Sequence, residues 1–508
     1  ARSRRVRLAL CLSGGGYRAA LFHLGALWRL HELGLLAQVR RVSSVSGGSI
    51  LAAFLAEHLV ADGAGGDTDR YARWCGSLDF RSGLAEPFAA VVRHDIRTLP
   101  ALACALPNLF RHRYGSGFLA RSYRRVLTAR TLAELPQVPD FVYCATNLRF
   151  GVNFEFSRAR VGDYQTGYLR GDADGPQPHD IAIATAVAAS SCFPPVFGPL
   201  RLRTAGMRWT HGGYRGVDRD RLVERIDLSD GGVYDNLAME PVIKHADVVL
   251  VSDGGSPFPL EPGRDLASKL ARYGAVMGNQ ANALRKRLYA ELRRSGQIEG
   301  ALWSLTRPQR DAHFGYSPEL VQSCLSRVRT DLDRFSRDEF EILVDHGYGA
   351  CEAALARQPQ LLHGAPEVDA VLPYPRWADE GAVDAEVQAY VNAVRAAYEQ
   401  RNAQYARIVE GYLEAYKAAV ALNQLQVEAN NRLRGAYVER QMGQSAQASG
   451  ANVGLANGAE ALGTVLNWLE PGSGDTVLAE AERQRGIASG RLEDAAVTGR
   501  QVLRRQQI

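Results

Sequence analysis

Long apolar runs are missing from this 508-residue sequence. No stretch reaches the roughly 18 apolar residues that a membrane-crossing helix needs, which excludes a transmembrane helix. Paired cysteines are missing too. The seven (Cys11, Cys75, Cys104, Cys144, Cys192, Cys324 and Cys351) are scattered with no CxxC spacing. An odd, dispersed set excludes a zinc site and a disulfide framework and reads as the reduced thiols of a cytosolic protein. Charge of one sign is scarce. A formal net charge of +5 permits weak attraction to an anionic membrane but is no nucleic-acid footprint. "GDADG" (171–175) lacks the third acidic position and the closing Glu of a calcium loop, so it reads as a surface loop. No metal or cofactor is called for.

What remains is ordinary globular protein, 46% hydrophobic and 23% charged. The length suggests two to four domains, or one large domain with appendages. The opening "ARSRRVRLALC" imitates a signal peptide, but its apolar part, Val6 to Leu12, is short and runs straight into glycines. Val6–Leu12 reads as a buried strand and Tyr17–Leu33 as a helix, with Leu21, Leu24, Leu27 and Leu30 on one face and a stop near Gly34. "VRRVSSV" is a second strand and "ILAAFLAEHLV" a second helix. Strand, helix, strand, helix within 60 residues implies a crossover and a parallel sheet. Phe141–Ser157 reads as a strand pair and Ala246–Gly255 as another buried strand. Residues 80–127 and 265–357 read as helical. From Val383 to Val438 a long helix or hairpin carries Val391, Tyr398, Tyr405 and Tyr412 every seventh residue, a stripe for packing on its own domain or for self-association. After Gln444 the Ala/Gly/Asn/Ser-rich chain reads as flexible or weakly helical.

Three consecutive glycines, Gly14-Gly15-Gly16, follow the first strand. Gly14-x-Gly16-x-x-Ala19 fits a dinucleotide fingerprint, but the second strand ends in Ser43-Ser44-Val45-Ser46, with none of the carboxylate that reading wants. No Gly-Lys-Ser/Thr follows, so a Walker loop fails too. A tight helix–sheet contact would need one glycine, not three with Arg18 behind them. The catalytic reading uses both turns. Ser46, in Ser44-Val45-Ser46-Gly47-Gly48, sits between strand and helix like the nucleophile of a G-x-S-x-G elbow whose first glycine is Ser44. The helix that follows points its N-terminal dipole at charge developing there. The glycine turn would supply bare N–H groups as an oxyanion hole. The serine needs a base. His245, His313 and His346 sit in no local pattern that marks one of them. "LSDGGVYDNLAMEP" (228–241) offers Asp230 instead, and a second Asp-Gly-Gly stands at Asp253.

Together these segments resemble the patatin-like phospholipases, which use G-G-G-x-[RK], G-x-S-x-G and D-G-[GA]. Here they run in order as Gly14-Gly15-Gly16-Tyr17-Arg18, Ser44-Val45-Ser46-Gly47-Gly48 and Asp230-Gly231-Gly232. "CATNL" (144–148), "ATAVAASSCFPPVFGPL" (184–200) and "RTDLDRF" with "HGY" are similar to further family segments. The resemblance covers about Val6 to Ala356 and departs at Ser44. It implies a three-layer α/β/α domain with a mostly parallel central sheet (1–370); outside the resemblance, periodicity and composition read as a helical extension (371–444) and a flexible or weakly helical tail (445–508). It also implies a metal-free Ser46–Asp230 dyad that hydrolyses phospholipid or other lipid esters, with Gly14, Gly15, Gly16 and Arg18 forming the oxyanion hole. Asp230 is preferred over Asp253 because "VYDNL" follows it, as in the family. The resemblance and the charge imply a cytoplasmic protein, peripheral at a membrane surface, that binds no nucleic acid. The arginine-flanked apolar segment 97–114 suits a membrane interface or a cap helix. Two other readings stay open: a nucleotide-binding module built on the glycines, and a silent scaffold acting through the C-terminal helix.

Overall fold

The computed structural model describes residues 7–96, 115–170, 180–193, 197–204, 207–210, 212–216, 219–258, 266–307 and 314–389, with a few isolated positions beyond. The expectations for 97–114, 171–175, His313, Cys104, most of 383–438 and the tail from 445 lie outside the described residues. The chain divides into a unit of 1–259 with 275–392 and a second of 260–274 with 393–508. Within the second, residues 266–274 are helical. The sheet and the site lie in the first.

Among the described residues eleven strands form one sheet: β1 (Leu8–Leu12), β2 (Val39–Ser44), β3 (Asp140–Asn147), β4 (Val152–Ser157), β5 (Val161–Asp163), β6 (Gly167–Arg170), β7 (Leu200–Arg203), β8 (Arg208–Trp209), β9 (Arg225–Asp230), β10 (Val248–Asp253) and β11 (Glu299–Ser304). Neighbours run β11-β10-β1-β2-β3-β4-β5-β6-β8, with β9 between β3 and β7. From β11 to β3 the pairing is parallel; β4 and β9 both run antiparallel to β3. The central sheet is therefore mostly parallel, with helices on both faces.

The layering follows from the alternation of side chains along a strand. In β1, Leu8, Leu10 and Leu12 enter the main core together with helix α1 (Gly16–Glu32) and helix α2 (Gly47–Ala61). Ala9 and Cys11 face the other way, into a smaller core with Val249, Val251, Met239 and Tyr289. A strand covered on both faces must be apolar throughout, which is why "LALCL" and "VVLVSD" are fully buried. The expected first strand, both helices, the second strand and the Phe141–Ser157 pair form where the pattern placed them.

Two expectations change. Residues 265–357 are not all helical, since "EGALWS" forms β11 on the edge of β10. It contains no β-branched residue, so local propensity gives little strand signal, and the free edge of β10 recruits it. Residues 371–389, placed in the extension from sequence, pack on the catalytic unit: Tyr374, Trp377, Val383 and Val387 are buried in its main core.

Candidate active site

Ser46 stands between β2 and α2 with φ 51° and ψ −116°. A serine pays a steric penalty in that region, and such strain persists only where the surroundings fix it. They do so here. The Ser46 N–H donates to Ser190 Oγ at 2.9 Å, and the α2 amides of Ser49 and Ile50 return to the Ser46 carbonyl. Gly47 must be glycine because a Cβ would stand 2.0 Å from the Gly16 carbonyl oxygen. That contact presses the elbow against the glycine loop. Gly48 closes the turn, its N–H donating to Val45 O and Ser13 O. Ser44 fits without strain at the departure from the family pattern: its hydroxyl donates to Val142 O at 3.3 Å and accepts from Ser49 at 3.0 Å.

The three glycines are required by three different neighbours. A Cβ at Gly14 would meet Asn236 Oδ1, at Gly15 the Gly254 carbonyl, and at Gly16, with φ +61°, the Asp331 carbonyl at 2.5 Å. Their N–H groups divide. That of Gly14 donates to Asn236 O at 3.1 Å and is spent within the loop. Those of Gly15, Gly16 and Gly47 have no partner among the described residues. They stand at the N-termini of α1 and α2, where orphan amides and helix dipoles favour negative charge. Below the loop, the buried His23 ring bridges Ser252 Oγ at 2.7 Å and Ser13 O at 3.0 Å, and Ser13 Oγ accepts from Gly254 N. Burial lowers the His23 pKa to about 4, so the ring is a neutral strut.

Arg18, expected with the oxyanion loop, turns out to be another strut. Its guanidinium, 1% exposed, reaches Val328 O at 2.8 Å, Ser256 Oγ at 2.9 Å, Gly254 O at 3.3 Å and Ser326 O at 3.4 Å. It ties together the loops that hold the glycines.

Asp230 ends β9 and is 3% exposed. Its carboxyl accepts from Gly232 N at 2.7 Å and has the Ser46 side chain as its other partner. Burial raises its pKa to about 6, against the lowering effect of those two contacts. No cation is paired with it among the described residues. Its backbone is held by Cys192 O, which accepts the Asp230 N–H, and by Thr146 Oγ1, which donates to the Asp230 carbonyl. Asp253 differs. Lys286 Nζ lies 2.5 Å from its Oδ2, Ser304 Oγ donates to the same oxygen, and its pKa falls below the usual carboxylate range.

The histidines lie elsewhere. His346 is buried, with Nε2 on Leu305 O, and His245 lines a cavity of about 460 Å³ beside Arg40, Arg41 and Arg160 at the N-terminal ends of β1, β2 and β3, the ends away from Ser46. Two residues escaped the sequence reading. Asn236 braces Gly14, and Ser190 holds Ser46. The "AASS" run was visible as part of a segment, but nothing local says which serine faces the elbow.

Among solved structures the chain is similar to human GIVD cytosolic phospholipase A2, at 14% identity and TM-score 0.44, over 71% of this chain and 60% of that one. It thus spans 60% of the length of the human protein. It is similar also to VipD from Legionella pneumophila (15% identity, TM-score 0.29, 95% of this chain and 88% of that one). The type III effector ExoU is a third (14%, TM-score 0.24, 97% and 79%). Likenesses this distant say nothing of substrate or partner. No curated protein matches the chain. Residues 10–243, a span that holds both turns and Asp230, do match the patatin-like phospholipase family as a domain.

Proposed function

We propose that the protein hydrolyses carboxylic esters of lipids through a Ser46–Asp230 dyad. The family carries lipid acyl hydrolysis in general. The observation that carries the finer reading is a strained serine whose side chain partners a buried carboxyl that has no cation beside it. An Asp near its ordinary pKa of about 3.9 is a weak base at neutral pH. Raised to about 6, it remains ionised at pH 7 and is better matched to take a proton.

Asp230 accepts the hydroxyl proton as Ser46 Oγ attacks the ester carbonyl. The oxyanion meets the N–H groups of Gly15, Gly16 and Gly47, and the α2 dipole adds to its stabilisation. The intermediate collapses as Asp230 returns the proton to the leaving alcohol, leaving an acyl-serine. Water enters, Asp230 takes its proton, and the acid departs. Phospholipid is the substrate class the family suggests, at a membrane surface where such substrates reside. The test is labelling of the intact protein with a lipid-like fluorophosphonate and mass-spectrometric mapping of the adduct. The adduct is expected on Ser46 and absent from Ser46→Ala; unchanged labelling of that variant removes the proposal.

A further inference from the structure

Ser190, in the helix Ile183–Ser191, lies in the segment 184–200 without a role of its own there, and it is fully buried between Ser46 and Asp230. Its side-chain oxygen accepts the Ser46 N–H at 2.9 Å. Its backbone carbonyl accepts the Gly231 N–H at 3.2 Å, one residue beyond Asp230. Two residues on, the Cys192 carbonyl accepts the Asp230 N–H itself. The C-terminal end of this helix therefore fixes the nucleophile through a hydroxyl and the base through carbonyls.

Toward Ser46 the hydroxyl must act as an acceptor, because a backbone N–H can only donate. A serine has one hydrogen to give, and that of Ser190 lies toward Cys144 O at 2.6 Å. Its lone pairs are then free to receive the Ser46 N–H and to share the single Ser49 hydrogen, which stands between Ser190 Oγ at 2.8 Å and Ser44 Oγ at 3.0 Å. Ser44, Ser49 and Ser190 are all fully buried, so a broken link leaves a polar group with no water to turn to. Ser46 also sits at a positive φ that a non-glycine residue leaves unless it is held.

We infer that Ser190 is a positioning residue for the dyad: it holds the Ser46 backbone in the elbow conformation and sets the distance from Ser46 to Asp230. The inference rests on Ser46 being the nucleophile. Removing the hydroxyl leaves the reacting groups untouched but lets Ser46 relax. A misplacement near 1 Å costs on the order of 10²-fold in rate.

The test compares wild type, Ser190→Ala, Ser49→Ala and Ser191→Ala. Measured are the rate constant for fluorophosphonate labelling of Ser46 per folded molecule, kcat and KM on a soluble ester, and Tm. Ser191 is the control: it is just as buried, one residue away, and its hydroxyl serves Val187 O and Tyr123. Ser190→Ala should label and turn over roughly 10- to 100-fold more slowly with KM unchanged. Ser49→Ala, which keeps the Ser190–Ser46 bond, should lose less. Ser191→Ala should lose Tm alone. Ser190→Ala labelling at the wild-type rate per folded molecule, or matching Ser191→Ala in every readout, overturns the inference and leaves Ser46 as nucleophile. Absence of labelling from the wild type removes both readings.

Discussion

Asp-Gly-Gly occurs twice in this chain, at Asp230 and Asp253, and the two copies begin alike. Each aspartate ends a strand, is buried, and accepts the N–H of the second glycine on Oδ1, at 2.7 Å for Asp230 and 3.1 Å for Asp253. They part company in their side-chain partners. Lys286, 33 residues along, neutralises Asp253 and lowers its pKa. Asp230 has a serine hydroxyl where Asp253 has an ammonium, and burial drives its pKa to about 6. One motif thus yields an ion-paired turn and a buried carboxyl with a raised pKa. Local geometry does not separate them; a cation does.

The largest effect expected from that difference is on turnover. Ser46→Ala and Asp230→Asn should each remove about 10²–10⁴-fold or more of the rate while folding normally. Asp230→Asn should melt no lower than wild type at pH 8. The sign follows from linkage. A carboxyl whose folded pKa is raised adds stability below its unfolded pKa, and that contribution disappears as pH climbs through about 6. An amide carries no such charge to bury. A folded, inactive Asp253→Asn beside an active Asp230→Asn would reverse the roles.

Next comes stability at the other copy. Lys286→Met leaves Asp253 buried and unpaired. Breaking such a pair costs about 3–5 kcal/mol when both partners are buried, and less here because Lys286 is 27% exposed. A loss of about 1–3 kcal/mol at pH 7 is expected in urea unfolding, shrinking toward acid as Asp253 protonates. In the wild type the sign is the usual one for a lowered carboxyl: its stabilisation is present above the unfolded pKa and lost as pH falls. Activity per folded Lys286→Met molecule should stay near wild type, and its loss would bring Asp253 into the chemistry.

A smaller effect is the pH profile. The logarithm of kcat/KM should rise with pH and level off above about 6, the value for Asp230, because only the ionised carboxyl takes the serine proton. His346→Gln should leave that limb in place. A limb that follows His346 would restore a histidine base.

The smallest effect concerns the departure from the family pattern. Ser44→Gly removes two buried hydrogen bonds and adds backbone freedom, together worth about 1–2 kcal/mol. Its labelling rate should fall less than that of Ser190→Ala, since Ser44 reaches Ser46 only through Ser49 and Ser190. A larger fall would place the restraint at Ser44.

Much of this was legible in the residues. An apolar run breaking into glycines, then a second run breaking into Ser-Val-Ser-Gly-Gly, states a βαβα unit with two strand-to-helix turns side by side. Steric demands within a few residues dictate such turns, so sequence carries them. β11 was not legible, because its pairing comes from β10's edge rather than from its own side chains. Nor was the attachment of 371–389 to the core, where Trp377 and Val387 find their apolar partners far upstream.

Within the site, the sequence alone determined the residue types that chemistry needs: a serine at a tight turn, bare amides, and an aspartate with room beside it. Tertiary structure decided everything that depends on what stands opposite. Gly14 gives its N–H to Asn236 and Arg18 gives its guanidinium to loop carbonyls, partners that no local pattern announces. Ser190 becomes a support, and Asp230 rather than Asp253 stays free of a cation. The physical reason is range. Backbone sterics act between chain neighbours. Burial, charge pairing and the accounting of single hydrogens act between groups that only folding brings within a few ångströms.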